Sequence, residues 1–312
     1  MAVVSRSDIE AAAALISAGV RDTPLMQAEA ELFDVDANVA CKLELLQHTG
    51  SFKPRGALHR ALTSDVGPSG LIAASGGNHG LAVAWVAARL GASCEIFVPE
   101  VSPAAKVDKI RRLGATVHVT GALYDDALAA CRARQRETGA LDIHAYDHTG
   151  TIAGAGTIGR EIERDFGAVD TVLVALGGGG LASGIAAWFD GTDTNVVVVE
   201  PEQSQCFASA VAAGEPVDVT VAGVAADSLG ARRIGETNWR ALTHAHAASI
   251  TVSDESIRDA QRRFWSALQL VVEPGGATAA AALWSGAYEP QPGERVAVIV
   301  CGANCDPASV TS

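Results

Sequence analysis

Short, almost unbroken apolar runs alternate along this chain with helical patterns, and glycine-rich turns join one to the next. The clearest instance is the run Thr171–Ala175, the turn Leu176-Gly177-Gly178-Gly179-Gly180-Leu181, a helical pattern over 181–189 and a second apolar run over 196–200. A strand that is apolar on both sides has to be covered on both faces, and a parallel neighbour reached through a helix does that. The chain is therefore expected to be α/β, with two open, twisted, mostly parallel sheets flanked by helices.

The same reading places helices at 8–18, 52–62, 80–90, 104–113, 124–138, 157–165, 181–189, 256–268 and 276–283. It places strands at 38–43, 70–74, 94–98, 115–119, 171–175, 196–200 and 296–301. Residues 66–147 read as a compact βαβαβα module, a small domain set into a larger one made of 1–65 and 148–312. A chain of 312 residues with 48% hydrophobic content can bury cores of that size, and only 5% aromatic content suits close α/β packing.

Composition excludes some partners. A net charge of −13 leaves no basic footprint for nucleic acid or an anionic membrane surface. No apolar run approaches the ~18 residues of a membrane span, and residues 1–8 lack a signal-peptide core, so a cytoplasmic protein is expected. Six cysteines, at 41, 94, 131, 206, 301 and 305, form no Cys-x-x-Cys pair and read as small buried hydrophobes. His244-Ala245-His246 reads as loop or strand without further ligands nearby, and no metal is expected.

Within this frame one lysine stands out. In Thr49-Gly50-Ser51-Phe52-Lys53-Pro54-Arg55-Gly56 the glycines admit close backbone approach, Ser51 can cap a helix, and Phe52 sets an apolar face beside the amine. A lone lysine is ordinarily a solvated charge. Beside apolar surface it loses hydration, its ammonium form is disfavoured, and it becomes a candidate nucleophile.

Two loops supply anion-binding character. The glycines at 177–180 expose successive N–H groups at a helix start, which suits a phosphate. A tight turn is the plain alternative, and a dinucleotide site a weaker one, because the spacing is not G-x-G-x-x-G. Ala74-Ser75-Gly76-Gly77-Asn78-His79-Gly80 ends another strand with donors suited to a carboxylate, although such a loop also reads as an ordinary turn and cap. Val300-Cys301-Gly302-Ala303-Asn304 follows the last strand, with Cys301 in the simplest view a buried strand-end residue.

Taken together, these segments resemble the fold-type II pyridoxal-phosphate enzymes, and within them the threonine and serine dehydratases. The likeness runs through Thr23-Pro24-Leu25, residues 42–47, the Lys53 motif, residues 75–80, Ile152-Ala153-Gly154-Ala155-Gly156-Thr157, residues 177–181, Val199-Glu200-Pro201-Glu202, residues 232–235, Val272-Glu273-Pro274-Gly275-Gly276-Ala277 and residues 301–304. It covers the catalytic part of that family. The chain ends soon after Asn304, so no regulatory domain is expected.

The resemblance implies pyridoxal 5'-phosphate as cofactor, with Lys53 its covalent anchor and the base that takes the Cα proton. Phe52, Asn78, Gly177, Gly178, Gly179, Gly180, Leu181, Glu273 and Cys301 would hold it. The glycines would take its phosphate, Asn78 its phenolic oxygen and Cys301 the pyridine nitrogen. Ser75, Gly76, Asn78 and His79 would receive the substrate carboxylate. The implied reaction is β-elimination from L-threonine or L-serine to a 2-oxo acid and ammonia, in a homodimer. The alternatives are an amino-acid racemase, a hydroxyaspartate ammonia-lyase and, less well supported, a nucleotide-binding oxidoreductase.

Some positions depart from the family pattern. Serine racemases carry a second serine where this chain has Gly76, so racemisation is expected to be inefficient. Metal-binding members carry an aspartate six residues after the position of Glu200, where this chain has Cys206. Ala155 and Ser228 stand where relatives commonly carry Gln and Gly.

Overall fold

The computed structural model describes residues 3–102 and 104–311. In chain order the strands are β1 (Leu25–Gln27), β2 (Ala37–Lys42), β3 (Leu71–Ala74), β4 (Cys94–Val98), β5 (Thr116–Val119), β6 (Leu141–Asp142), β7 (Thr171–Ala175), β8 (Asn195–Pro201), β9 (Ala248–Val252) and β10 (Glu294–Ile299). The helices are α1 (Arg6–Ile16), α2 (Ala30–Phe33), α3 (Lys53–Leu62), α4 (Asn78–Leu90), α5 (Ala104–Arg112), α6 (Tyr124–Thr138) and α7 (Thr149–Phe166). They continue as α8 (Gly180–Phe189), α9 (Cys206–Ala213), α10 (Glu236–His244), α11 (Asp254–Leu268), α12 (Pro274–Trp284) and α13 (Ala308–Thr311).

The strands form two sheets, as the alternating pattern implies. The larger has the order β1-β2-β10-β7-β8-β9, with only the β1–β2 pair antiparallel, and the smaller, all parallel, runs β5-β4-β3-β6. Strands β3, β7 and β8 are buried on both sides except at the first residue of β8, and helices lie across both faces. The smaller core is not confined to residues 66–147, because Ile16 of α1 and Ala57, Leu58 and Ala61 of α3 pack into it.

Where the structure departs from the sequence reading, the reasons are physical. Helix α7 begins at Thr149, well before the expected start at 157. Its first half is rich in glycine, which reads locally as a weak helix former. Those glycines instead permit close packing: a Cβ at Gly154 would lie 2.5 Å from the Arg55 carbonyl oxygen, and one at Gly56 would lie 2.7 Å from that of Thr151. Strands β1 and β6 have three and two residues, too few for a period to register. Helices α2 and α13, with four residues each, are likewise too short for a period, and the sequence reading also misses α9, α10 and β9. His244 is the last residue of α10, not part of a loop or strand, and its Nε2 faces Asp190 at 3.5 Å.

Parallel sheets bring the carboxyl ends of their strands to one side, where a crevice opens. The turns after β3, β7 and β10, and the segment from β2 to α3, all leave from such ends.

Candidate active site

Lys53 opens α3, with Pro54 behind it in the first turn, where proline's fixed φ and missing N–H do no harm. Phe52 occupies the cap position without a side-chain cap, so Ser51 does not cap the helix. Ser51 instead bridges to Gly302 of the loop after β10, and its fully buried Oγ has no hydrogen-bond partner among the described residues. Thr49 and Gly50 just upstream are both left-handed, at φ 62° and 76°, and the Asn304 amide donates to the Thr49 carbonyl at 2.7 Å. A β-branched residue in that region is strained, and the Asn304 bond is part of what holds it.

The half-buried Lys53 amine donates to the Ala145 carbonyl at 2.9 Å and lies 4.9 Å from the centre of the Phe52 ring. Desolvation brings its pKa down to about 8, against an opposing pull from Cys301 and Glu273. Cys301 is buried, and burial with the nearby Glu273 pushes its thiol well above the ordinary value. It is a neutral thiol whose Sγ donates to the Gly275 carbonyl at 3.4 Å. Glu273, the cap residue of α12, is lifted to about 7 by desolvation, although the Asn78 amide, donating to Oε1 at 2.6 Å, pulls the other way.

The loop after β3 has a different shape from that expected on sequence. Helix α4 begins at Asn78 rather than Gly80, so Asn78 and His79 form its first turn. Ser75 Oγ accepts from the Gly77 N–H at 3.2 Å, while Asn78 is gripped from both ends by Glu273 and by Asn304, which donates to Oδ1 at 2.8 Å. The His79 imidazole pairs through Nε2 with the Ile143 carbonyl at 2.5 Å. Burial and the nearby Lys53 bring its pKa to about 3, so it stays neutral, and a carbonyl partner makes Nε2 the donor. The loop's open donors are backbone N–H groups.

The glycine loop is a cradle with its carbonyls tied back. Gly178 O accepts from Asn238 Nδ2 at 2.9 Å and from the Gly235 N–H at 3.2 Å, and Gly177 O accepts from Cys206 Sγ at 3.0 Å. Among the described residues no acceptor takes the N–H groups of Gly177, Gly178 or Gly179. Gly179 sits at φ 104°, and a Cβ on Gly178 would lie well inside van der Waals contact distance of the Tyr146 ring. Leu181 is buried in the first turn of α8. Asn238 and Tyr146 escape a sequence reading as site residues, since neither sits in a motif. Ala155 is buried inside α7, and Ser228 Oγ accepts from the Gly275 N–H at 3.1 Å.

Glu200 is fully buried, and its two oxygens accept from the N–H groups of Phe207 and Ala208, each at 2.8 Å. It caps α9, and its neighbour Cys206 is turned toward Gly177.

A phosphorylated pyridine aldehyde fits this arrangement. Free N–H groups ring the glycine cradle, a neutral thiol provides a weak partner for a ring nitrogen, and the lysine with a lowered pKa feels that thiol and bonds to Ala145, next to the Tyr146 that abuts Gly178. Gly178→Ala would drive a methyl group into Tyr146. Its affinity for added pyridoxal phosphate, titrated by absorbance, is expected to fall about tenfold. An unchanged affinity would remove the glycine loop from the binding site.

Known proteins agree with this geometry. Residues 16–302 match the family described as "Pyridoxal-phosphate dependent enzyme". The biosynthetic L-threonine dehydratase of Escherichia coli is 35% identical over 287 residues, covering 90% of this chain, which spans 56% of that protein's length. Among solved structures, maize serine racemase superposes with a TM-score of 0.93 at 29% identity, over 98% of this chain and 95% of that one. The T.th. threonine deaminase has a TM-score of 0.90 at 34% identity, over 97% and 99%. With a match that takes in the lysine, both donor loops and the cysteine, this chain belongs to the pyridoxal-phosphate-dependent enzymes of fold type II.

Proposed function

We propose that the chain is an ammonia-lyase that dehydrates a β-hydroxy amino acid, L-threonine or L-serine, to 2-oxobutanoate or pyruvate plus ammonia. The observation that carries this reading is a lysine amine with a pKa of about 8 within electrostatic reach of a buried, neutral Cys301 thiol. Pyridoxal phosphate, when bound, withdraws electrons and so acidifies the α-proton of an attached amino acid.

The chain's own residues do the rest. Lys53 would hold the cofactor and is the base that takes the Cα proton at Nζ, and its lowered pKa keeps a useful share of it as free amine near neutrality. The N–H groups of Gly76, Asn78 and His79 orient the substrate carboxylate. Gly177 to Gly180 hold the phosphate, Asn78 the phenolic oxygen, and Phe52, Leu181 and Glu273 the ring and its surroundings. Cys301, neutral as a thiol, would offer the ring nitrogen only a weak hydrogen-bonding partner and no charge, which suits an elimination better than a reaction that needs a strong electron sink. The elimination removes the β-hydroxyl as water, and hydrolysis of the resulting enamine consumes a water and releases ammonia.

The same reading includes a homodimer in the cytoplasm. Among the described residues no helix is long and apolar enough to cross a membrane.

Incubation of the cofactor-loaded protein with L-threonine, L-serine and β-hydroxyaspartate, with assays for 2-oxo acid and for enantiomer composition, tests the proposal. Release of 2-oxo acid from threonine or serine is expected. Enantiomer exchange without 2-oxo acid would replace the lyase by a racemase, and preference for the acidic substrate would move it to a hydroxyaspartate ammonia-lyase.

A further inference from the structure

We propose that Ser102 is a further substrate-binding residue, whose hydroxyl completes the carboxylate-receiving loop 75–79 from the neighbouring strand. The inference rests on the function proposed above for that loop. Strands β3 and β4 are parallel neighbours, with Ala74 opposite Phe97, so the turns that follow them emerge side by side. Ser102 lies in the turn after β4, where its N–H donates to the Pro99 carbonyl at 3.0 Å.

From there its side chain occupies the space that residue 76 leaves open. A Cβ built on Gly76 would lie 2.6 Å from Ser102 Oγ and 3.2 Å from Ser102 Cβ. The loop thus carries a hydroxyl at this point, delivered from another element. Ser75 Oγ already accepts from the Gly77 N–H, whereas the half-buried Ser102 Oγ has no protein partner among the described residues. Lys106 on α5 pairs with Asp227, whose carbonyl oxygen lies 3.7 Å from the Cβ position of Gly77. The helix that follows Ser102 is thus anchored to a residue lying near the same loop.

The chemistry suits the ligand. A carboxylate has about four lone-pair sites. The N–H groups of loop 75–79 fill some of them, and a free hydroxyl donating to a charged oxygen makes a short, strong bond. Because that hydroxyl bonds to no other group among the described residues, its removal is expected to leave the fold as it is.

Steady-state kinetics on the cofactor-loaded enzyme test the assignment. Ser102→Ala is expected to raise KM for the amino acid about tenfold, with the cofactor absorbance and thermal melting unchanged, while Ser102→Thr keeps a KM near that of the parent. Gly76→Ala pushes its methyl group onto Ser102 Oγ and is expected to raise KM similarly. In a Ser102→Ala background the same change is expected to add little, a non-additivity that independent sites do not show. A KM for Ser102→Ala close to that of the parent, or full additivity of the two changes, would overturn the proposal. Should the parent turn over no β-hydroxy amino acid, the lyase reading fails on its own. The shift in cofactor absorbance on adding amino acids would then still compare binding in parent and Ser102→Ala protein.

Discussion

Replacing Lys53 by alanine is expected to abolish covalent attachment of pyridoxal phosphate and to lower turnover on the order of a thousandfold or more, since anchor and base are lost together. Borohydride treatment followed by mass measurement reads the first effect: the parent retains the cofactor mass and Lys53→Ala does not. A variant that still fixes the cofactor would place the anchor elsewhere. The lysine's pKa of about 8 adds a pH signature. Below that value most of the amine is protonated, so attachment of added cofactor to the stripped protein should speed up about tenfold per pH unit and level off above about pH 8.

The sign of the linked stability runs the other way from that of a salt-bridged lysine. The folded value lies below the reference value of 10.5, so between about pH 8 and 10.5 the unfolded chain holds a proton that the folded one has released. Without cofactor, this group's contribution to stability therefore rises with pH across that window. It is least favourable below about pH 8, where the amine is charged in both states and desolvated only in the folded one.

Arg55→Met is expected to destabilise the protein by about 3–5 kcal/mol, because it breaks a buried charge cluster from one side. The fully buried Arg55 guanidinium forks onto Glu44, Nε to Oε2 at 2.8 Å and Nη2 to Oε1 at 2.7 Å, and reaches Glu161 at 2.6 and 2.8 Å. Lys42 Nζ meets Glu161 at 2.6 Å and donates to the Thr23 carbonyl at 2.6 Å, so two cations balance two anions. With the guanidinium gone, Glu44 and Glu161 are left with a single lysine to balance them. Arg55→Lys should recover only part of the loss, since an ammonium lacks the planar fork.

Thermal melting should show a drop of about 5–8 °C for Arg55→Met. A melting temperature indistinguishable from the parent's would mean that water or rearrangement satisfies the carboxylates. Arg55 lies two residues after Lys53 on the same helix, so the cluster also sets where α3, and with it the lysine, sits against α7.

Much of this is legible in the sequence because local chemistry carries it. The strand patterns of β3, β7 and β8 are apolar on both faces, and such runs have few ways to be buried. The lysine motif, the glycine loop and the Ser75 loop each announce a backbone or donor requirement within a few residues. Asn238 and Tyr146 announce nothing, because they act on the glycine loop only after α10 and the segment following β6 have been folded against it.

Helix α7 shows the same division from the other side. Glycines at 150, 154, 156 and 159 weaken the local signal, and only contact with α1, α3 and α8 turns them into a packing surface. Ser51 reads as a cap in its local context and is a bridge to Gly302, a pairing set by the fold of almost the whole chain rather than by its neighbours. The amino-acid order alone determined the α/β class, since periodicity is short-range, and its motifs carried the family resemblance and singled out Lys53 as a candidate. The protonation states of Lys53, Glu273 and Cys301, the tie between Asn238 and the glycine loop, and the delivery of Ser102 to Gly76 belong to the tertiary structure. Each depends on burial and distance between residues far apart in the chain.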